Sequence, residues 1–265
     1  MKKHFTSKII FQNLEMQLED GANSFSEDLL IGEIEDTKIQ HLAFVGPTQQ
    51  KISLLEGHMN MFLFIKGNAE LVGDNLSFQI VPESVAIPLS FKNIKINVEE
   101  GNTLHYVALT KKYTQDDLND FSTYPKENQP DLFFAKFSDC EPYTEKIKSP
   151  RTISRTVLPE GIIPRMALGT VEALGPDEVR AHKHPMLDQL FLGLSDNYIR
   201  VYADGKSIEL GPYSLLHIPI GSSHWVTVDK GNKLFYLWMN FFLDRTGQQW
   251  LKTHKPIATI KNDCL

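Results

Sequence analysis

Apolar and polar residues in this chain alternate over short runs bounded by turn signals. In the second half the runs are LFLGL, NYIRVYA, YSLLHIP, HWVTVD and KLFYLWMNFF. They are rich in β-branched and aromatic residues. Between them stand ADGK at 203–206, ELGP at 209–212 and DKGN at 229–232, the punctuation expected between strands. Several short strands at such spacing predict a sandwich or barrel. Long helical periodicity is scarce. The helix candidates are DDLNDFS at 116–122 and RTGQQWLKTH at 245–254, both outside the strand blocks.

The pattern repeats. Residues 87–109 read IPLSFKNIKINVEEGNTLHYVAL and residues 218–239 read IPIGSSHWVTVDKGNKLFYLWM. Upstream of each, MFLFIKGNAEL at 61–71 pairs with LFLGLSDNYIRV at 190–201. The offset is near 130 residues in both matches, too long for a solenoid repeat. Two halves of similar architecture are therefore expected. The polar stretch from Tyr113 to about Pro159, with Pro125, Pro130, Pro142 and Pro150 inside it, reads as the connector. The division expected is 1–125, a connector over 126–155, and 156–265.

Composition narrows the function classes. A chain of 265 residues has room for two domains. Net charge is −6, with no dense Lys/Arg cluster, so nucleic acid is not an expected partner. The run Lys252–Lys261 is only mildly basic and reads as a solvated end. No stretch approaches the ~20 apolar residues of a membrane helix, and Ile9–Phe11 is too short for a signal-peptide core. Cys140 and Cys264 lie far apart and form no CxxC pair, which favours a cytoplasmic protein with reduced thiols.

Candidate chemistry centres on HKHPMLDQ at 182–189. On a strand, His182 and His184 share a face. His224 follows in PIGSSHW, where a tight Pro-x-Gly-x-x-His turn delivers a histidine to the start of the next strand. Imidazoles from separate strands of a small barrel can converge on one ion. A fourth ligand would come from Gln189 or Asp188, or from water. Gln189 has the parity of Phe191 and Gly193, Asp188 the opposite one, and Gln189 is preferred. Alternation places Tyr236, Trp238 and Asn240 on one strand face, where they could line a pocket mouth or face outward. Arg180 shares the parity of the two histidines and could meet an anionic substrate or mark the strand's solvent end. His217 reads as a strand histidine, and His41 and His105 as structural. His4, His58 and His254 carry no motif.

These residues resemble the two motifs of the cupins. Gly175 precedes His182 and His184, and Gln189 stands where that family carries a glutamate. Gly211 leads to Pro219, Gly221 and His224, with Val228 in place of the usual trailing Asn. Gly193 and Asp196 lie near the first motif's last glycine without matching it cleanly. The resemblance covers about 90 residues of the second half. It implies an all-β chain of two tandem double-stranded β-helix (jelly-roll) barrels with few short helices. Shifted back by about 130 residues, the ligand positions fall near Ser53, Leu55, Asn60 and Asn93, so the first barrel is expected to hold no metal.

The set His182, His184, Gln189, His224 is neutral and leaves a bound cation its full charge. Zn, Fe, Ni, Mn and Cu all remain open; imidazole alone does not choose among them. Such a site should favour an anionic, oxygen-rich small molecule that chelates through a carboxylate and an adjacent hydroxyl or carbonyl, with the ion as Lewis acid. Cupins with this ligand set act on unsaturated uronates and on a prephenate-derived intermediate, which implies isomerase or lyase chemistry on a sugar-acid-like substrate. An Fe-dependent dioxygenase and a non-enzymatic metabolite binder are the alternatives. No general base is evident. Pairing into a homodimer would cover sheet edges.

Overall fold

The computed structural model describes residues 9–74, 76–247 and the strand Ala258–Thr259. His4, His254, Cys264, the run Lys252–Lys261 apart from Ala258–Thr259, and most of the helix expected over 245–254 lie outside the described residues. The chain divides into two compact units. One comprises residues 1–13, 140–160 and 165–265; the other comprises residues 14–139 and 161–164.

In the unit carrying the histidine motifs, every strand pair is antiparallel and two sheets enclose the core. The larger sheet has the order Ile10–Asn13, Ser214–Ile218, Leu187–Gly193, Lys233–Phe242, Met166–Leu174, Ile153–Leu158, Pro142–Thr144, Ala258–Thr259. The smaller runs Asp177–Lys183, Ser223–Val228, Ile199–Ala203, Lys206–Leu210. Alternation does the work. Val171, Phe191, Leu216, Leu234 and Tyr236 point inward from one sheet and meet Val179, Ile199, Val201 and Val226 from the other.

The second unit repeats this plan. Its six-stranded sheet runs Leu132–Lys136, Ser84–Pro88, His58–Lys66, Thr103–Lys112, Thr37–Val45, Ser24–Leu29. Its four-stranded sheet runs Thr48–Ser53, Asn93–Val98, Ala69–Gly73, Leu76–Ile80. Phe64, Tyr106 and Ala86 face Leu71, Ile94 and Ile96 across the core. Both units open a four-stranded sheet on a cis Gly-Pro bond, Gly46–Pro47 and Gly175–Pro176. The glycines are needed. A Cβ at Gly46 would lie 1.9 Å from the Glu99 carbonyl oxygen, and one at Gly175 the same distance from that of Asp229. The expected helix forms over Gln115–Thr123, started by a capping box between Thr114 and Asp117. Among the described residues no helix is long and apolar enough to cross a membrane.

The division differs from the expected one at two places. Residues 126–155, expected as a connector packed on the halves, instead supply strands of both units. Leu132–Lys136 closes the sheet of one unit, and Pro142–Thr144 and Ile153–Leu158 extend the sheet of the other. The strand Ile10–Asn13 pairs with Ser214–Ile218, from Ile10 against His217 to Asn13 against Ser214. Alternation identifies a strand but carries no information on so distant a partner.

His41 and His105 form a buried contact of 3.2 Å between Nε2 and Nδ1. Burial, reinforced by the other ring, pushes His41 down to about 4. Burial, with Lys66 next, pushes His105 down to about 4. The unfolded chain takes up these protons near 6.5. It therefore binds more protons than the folded state between about 6.5 and 4, and stability falls as pH drops through that window. Thermal unfolding followed by circular dichroism at pH 7 and pH 5 should show a smaller pH dependence for His105→Gln than for the parent. Equal dependence would refute the role of the pair.

Candidate metal centre

His182 and His224 are direct cross-strand partners, on Asp177–Lys183 and Ser223–Val228. The Pro-x-Gly-x-x-His segment explains how. Ser222 N–H donates to the Pro219 carbonyl at 3.1 Å, closing a turn, and Gly221 N–H donates to the His184 carbonyl at 3.0 Å. Gly221 has φ of 77°, which glycine adopts without strain. The turn thus ties both motifs together. The three rings lie 4.3 to 5.3 Å apart by centroid. Their ligating atoms all fall within 4.8 Å of one another. Among the described residues no other group of three His, Cys, Asp or Glu side chains gathers in this way.

The nitrogens are pre-sorted. His182 Nδ1 sits 2.7 Å from the Arg180 carbonyl, and His224 Nδ1 sits 3.2 Å from the Ser222 carbonyl. Backbone acceptors at Nδ1 fix the tautomer that leaves Nε2 to ligate. His224 Nε2 is buried without a hydrogen-bond partner. Burial, then the neighbouring His182, pushes His224 down to about 3, so its ring is neutral at ordinary pH. Three imidazoles gathered so closely, one of them with its Nε2 buried and unpaired, fit a transition-metal ion.

Gln189 and Asp188 separate as their parity requires. Gln189 Nε2 donates to Asn240 Oδ1 at 2.7 Å, and its Oε1 is buried with no partner. Asp188 faces the other way, accepting from Ile220 N–H at 3.3 Å and lying 3.1 Å from His217 Nε2. His217 is accordingly buried against Asp188, away from the triad.

A cavity of about 260 Å³ adjoins the histidines. His182, His184 and Gln189 form part of its wall, together with Tyr236, Trp238 and Asn240, the strand face marked by alternation. Arg180 takes the solvent side of its two readings, and its placement as a substrate-binding residue is corrected. A register irregularity between Val179 and His182 breaks the alternation on which its placement depended. Its side chain is 70% exposed, near Glu178, and does not line the cavity.

Sequence reasoning missed part of the lining. Tyr143, Glu145, Lys148 and Thr156, from the presumed connector, line the same cavity. Lys148 Nζ lies 2.9 Å from Glu145 and donates to Ser154 Oγ at 2.8 Å. Burial lowers the Lys148 pKa, opposed by Glu145. Burial, with Glu145 and Tyr143 adding to it, raises that of Tyr236. Five prolines and a polar composition concealed these roles, because the residues reach the cavity only through tertiary placement.

The first half bears the expected residues at the matching register. Ser53 opposes Asn93 as His182 opposes His224. Asn60 opposes Thr110 as Gln189 opposes Asn240. Asn60 is tied to the backbone of Leu55 and His58.

Gly169 sets the position of Trp238. A Cβ there would lie 2.2 Å from the indole and 2.5 Å from the Arg155 carbonyl oxygen. Gly169→Ala should cost about 1–3 kcal/mol and shift tryptophan emission. Urea unfolding monitored by fluorescence measures both, and an unshifted spectrum would rule out the contact.

No protein-family model matches this sequence, and no curated protein does. Solved structures do match. A Pseudomonas aeruginosa protein assigned as glyoxylate-induced aligns with TM-score 0.68 at 12% identity, over 82% of this chain and 80% of its own. A cupin 2 conserved barrel domain protein from Leptotrichia buccalis aligns at 0.60 and 16%, over 91% and 98%. An oxalate decarboxylase from Lactobacillus farciminis aligns at 0.64 and 11%, over 95% and 92%. At these identities the likeness is one of fold, and that fold is the cupin jelly-roll barrel, present twice in the chain.

Proposed function

We propose that the second barrel binds one divalent transition-metal ion through His182, His184 and His224, with Gln189 as fourth ligand, and acts on a small oxygen-rich acid. The observation that carries this reading is the orphaned Nε2 of His224 beside the gathered imidazoles, with Gln189 Oε1 also lacking a partner. A buried acceptor left unpaired costs about 1–3 kcal/mol, which a cation would offset. When bound, the ion supplies Lewis-acid polarisation of a chelated carboxylate and its neighbouring oxygen.

The chain's own residues supply selection. Asn240 holds the Gln189 amide so that oxygen, not nitrogen, is left for the ion. Phe191, Tyr236 and Trp238 give the cavity apolar walls. Its volume equals roughly nine water molecules at about 30 Å³ each, which suits a small metabolite. The neutral ligand set leaves the ion's charge for an anion, and isomerase or lyase chemistry is the reading favoured. That a fold relative is an oxalate decarboxylase is in keeping with a small acid as substrate.

Elemental analysis of the purified protein, combined with oxygen-uptake measurements in the presence of sugar acids, tests this. One ion per chain and substrate conversion without oxygen uptake support the proposal. Iron with stoichiometric oxygen uptake would establish a dioxygenase instead. A bound ion with no conversion of any acid would leave a metabolite binder.

A further inference from the structure

The Glu145–Lys148 pair is an expensive way to build a cavity wall. Lys148 is 5% exposed in its side chain and Glu145 18%. Desolvating such a pair costs several kcal/mol per ion, and apolar residues of similar volume are often as stable or more so. The pair is also firmly placed. Lys148 N–H donates to the Glu145 carbonyl at 3.1 Å, and Arg180 N–H donates to the Ile147 carbonyl at 2.9 Å. The second bond joins the segment to the strand that carries His182. The Tyr143 hydroxyl lies beside Glu145 and Thr156. An ammonium has three donors and a carboxylate about four acceptor sites, so the pair retains capacity toward the cavity it lines.

We propose that Glu145 and Lys148 read a hydroxyl group on the part of the ligand remote from the metal, so that the ligand is a hydroxylated carboxylic acid. The inference rests on the chelation reading above. Charge selects the group. A second carboxylate approaching Lys148 would face Glu145, and an ammonium approaching Glu145 would face Lys148. A hydroxyl satisfies both at once, accepting from Nζ and donating to the carboxylate. The neutral ligand set then directs the acid end to the ion, and the neutral pair directs the hydroxylated end to itself.

Calorimetric titration of the protein, carrying the metal with which it is purified, tests this with three four-carbon acids sharing one chelating end. L-threonate has hydroxyls at its far end, 2-hydroxybutyrate none, and L-malate a carboxylate. The parent protein should bind L-threonate roughly tenfold or more tightly than either other acid, the worth of one charge-assisted hydrogen bond. In Glu145→Gln/Lys148→Met, similar in volume and uncharged, that preference should vanish while metal content stays as in the parent. Glu145→Gln alone keeps the acceptor for Lys148 but uncovers its charge, and should shift preference to L-malate. That single variant serves as the test if the double variant does not fold. A threonate preference retained in these variants, or a parent that binds threonate and 2-hydroxybutyrate equally, overturns the inference and leaves the chelation reading standing. A parent that binds none of the three overturns both.

Discussion

Metal analysis of a His224→Ala variant should return less than about a tenth of the ion found in the parent protein. Changes to groups behind a ligand already cost about 10–100-fold in affinity, and this change removes a ligand itself. The ring is the most buried of the three and has its Nδ1 committed to the Ser222 carbonyl, so the remaining pair cannot rotate a substitute into place. The barrel should survive. The matching position in the first barrel is Asn93, opposite Ser53, and that barrel has the same sheet order. Circular dichroism should therefore match the parent with both proteins stripped of metal. An unchanged ion content would defeat the assignment of the centre.

Phe191→Ala should lower the stability of the histidine-bearing unit by about 3–5 kcal/mol. The ring is 2% exposed, with its centroid 4.6 Å from that of Tyr236 and 5.9 Å from that of His224. Truncation removes a core side chain shared by the two sheets and also the surface on which the His224 imidazole rests. Trp225 and Trp238 both lie in this unit, so urea unfolding followed by tryptophan fluorescence reports the loss directly. Phe191→Leu should cost less, because more of the volume is kept. A loss below about 1 kcal/mol in the alanine variant would mean that the wall tolerates collapse.

Local pattern carried much of this architecture. Two-residue alternation marks Tyr236, Trp238 and Asn240 as one face because Lys233–Phe242 is an unbroken strand. The same rule separates Gln189 from Asp188 on Leu187–Gly193. It fails at Arg180, where the irregularity after Val179 resets which side chains point inward. Pro-x-Gly-x-x-His is legible because a positive φ at Gly221 and the His224 ring are parts of one turn. Glu145 and Lys148 leave no such mark. Their burial depends on a bridge between Lys148 and Val179 that only the folded sheet creates. Long-range pairing is likewise silent in a chain read locally.

The pairing of Ile10–Asn13 with Ser214–Ile218 also bears on how the protein is made. Asn13 and Ser214, joined by a side-chain hydrogen bond, are 201 positions apart. At about 5–20 residues per second, a ribosome needs roughly 10–40 s to bring the second into existence after the first. Throughout that interval the early strand has no partner, while the residues of the other unit emerge and can fold. The histidine-bearing unit is thus begun before the other unit and completed after it.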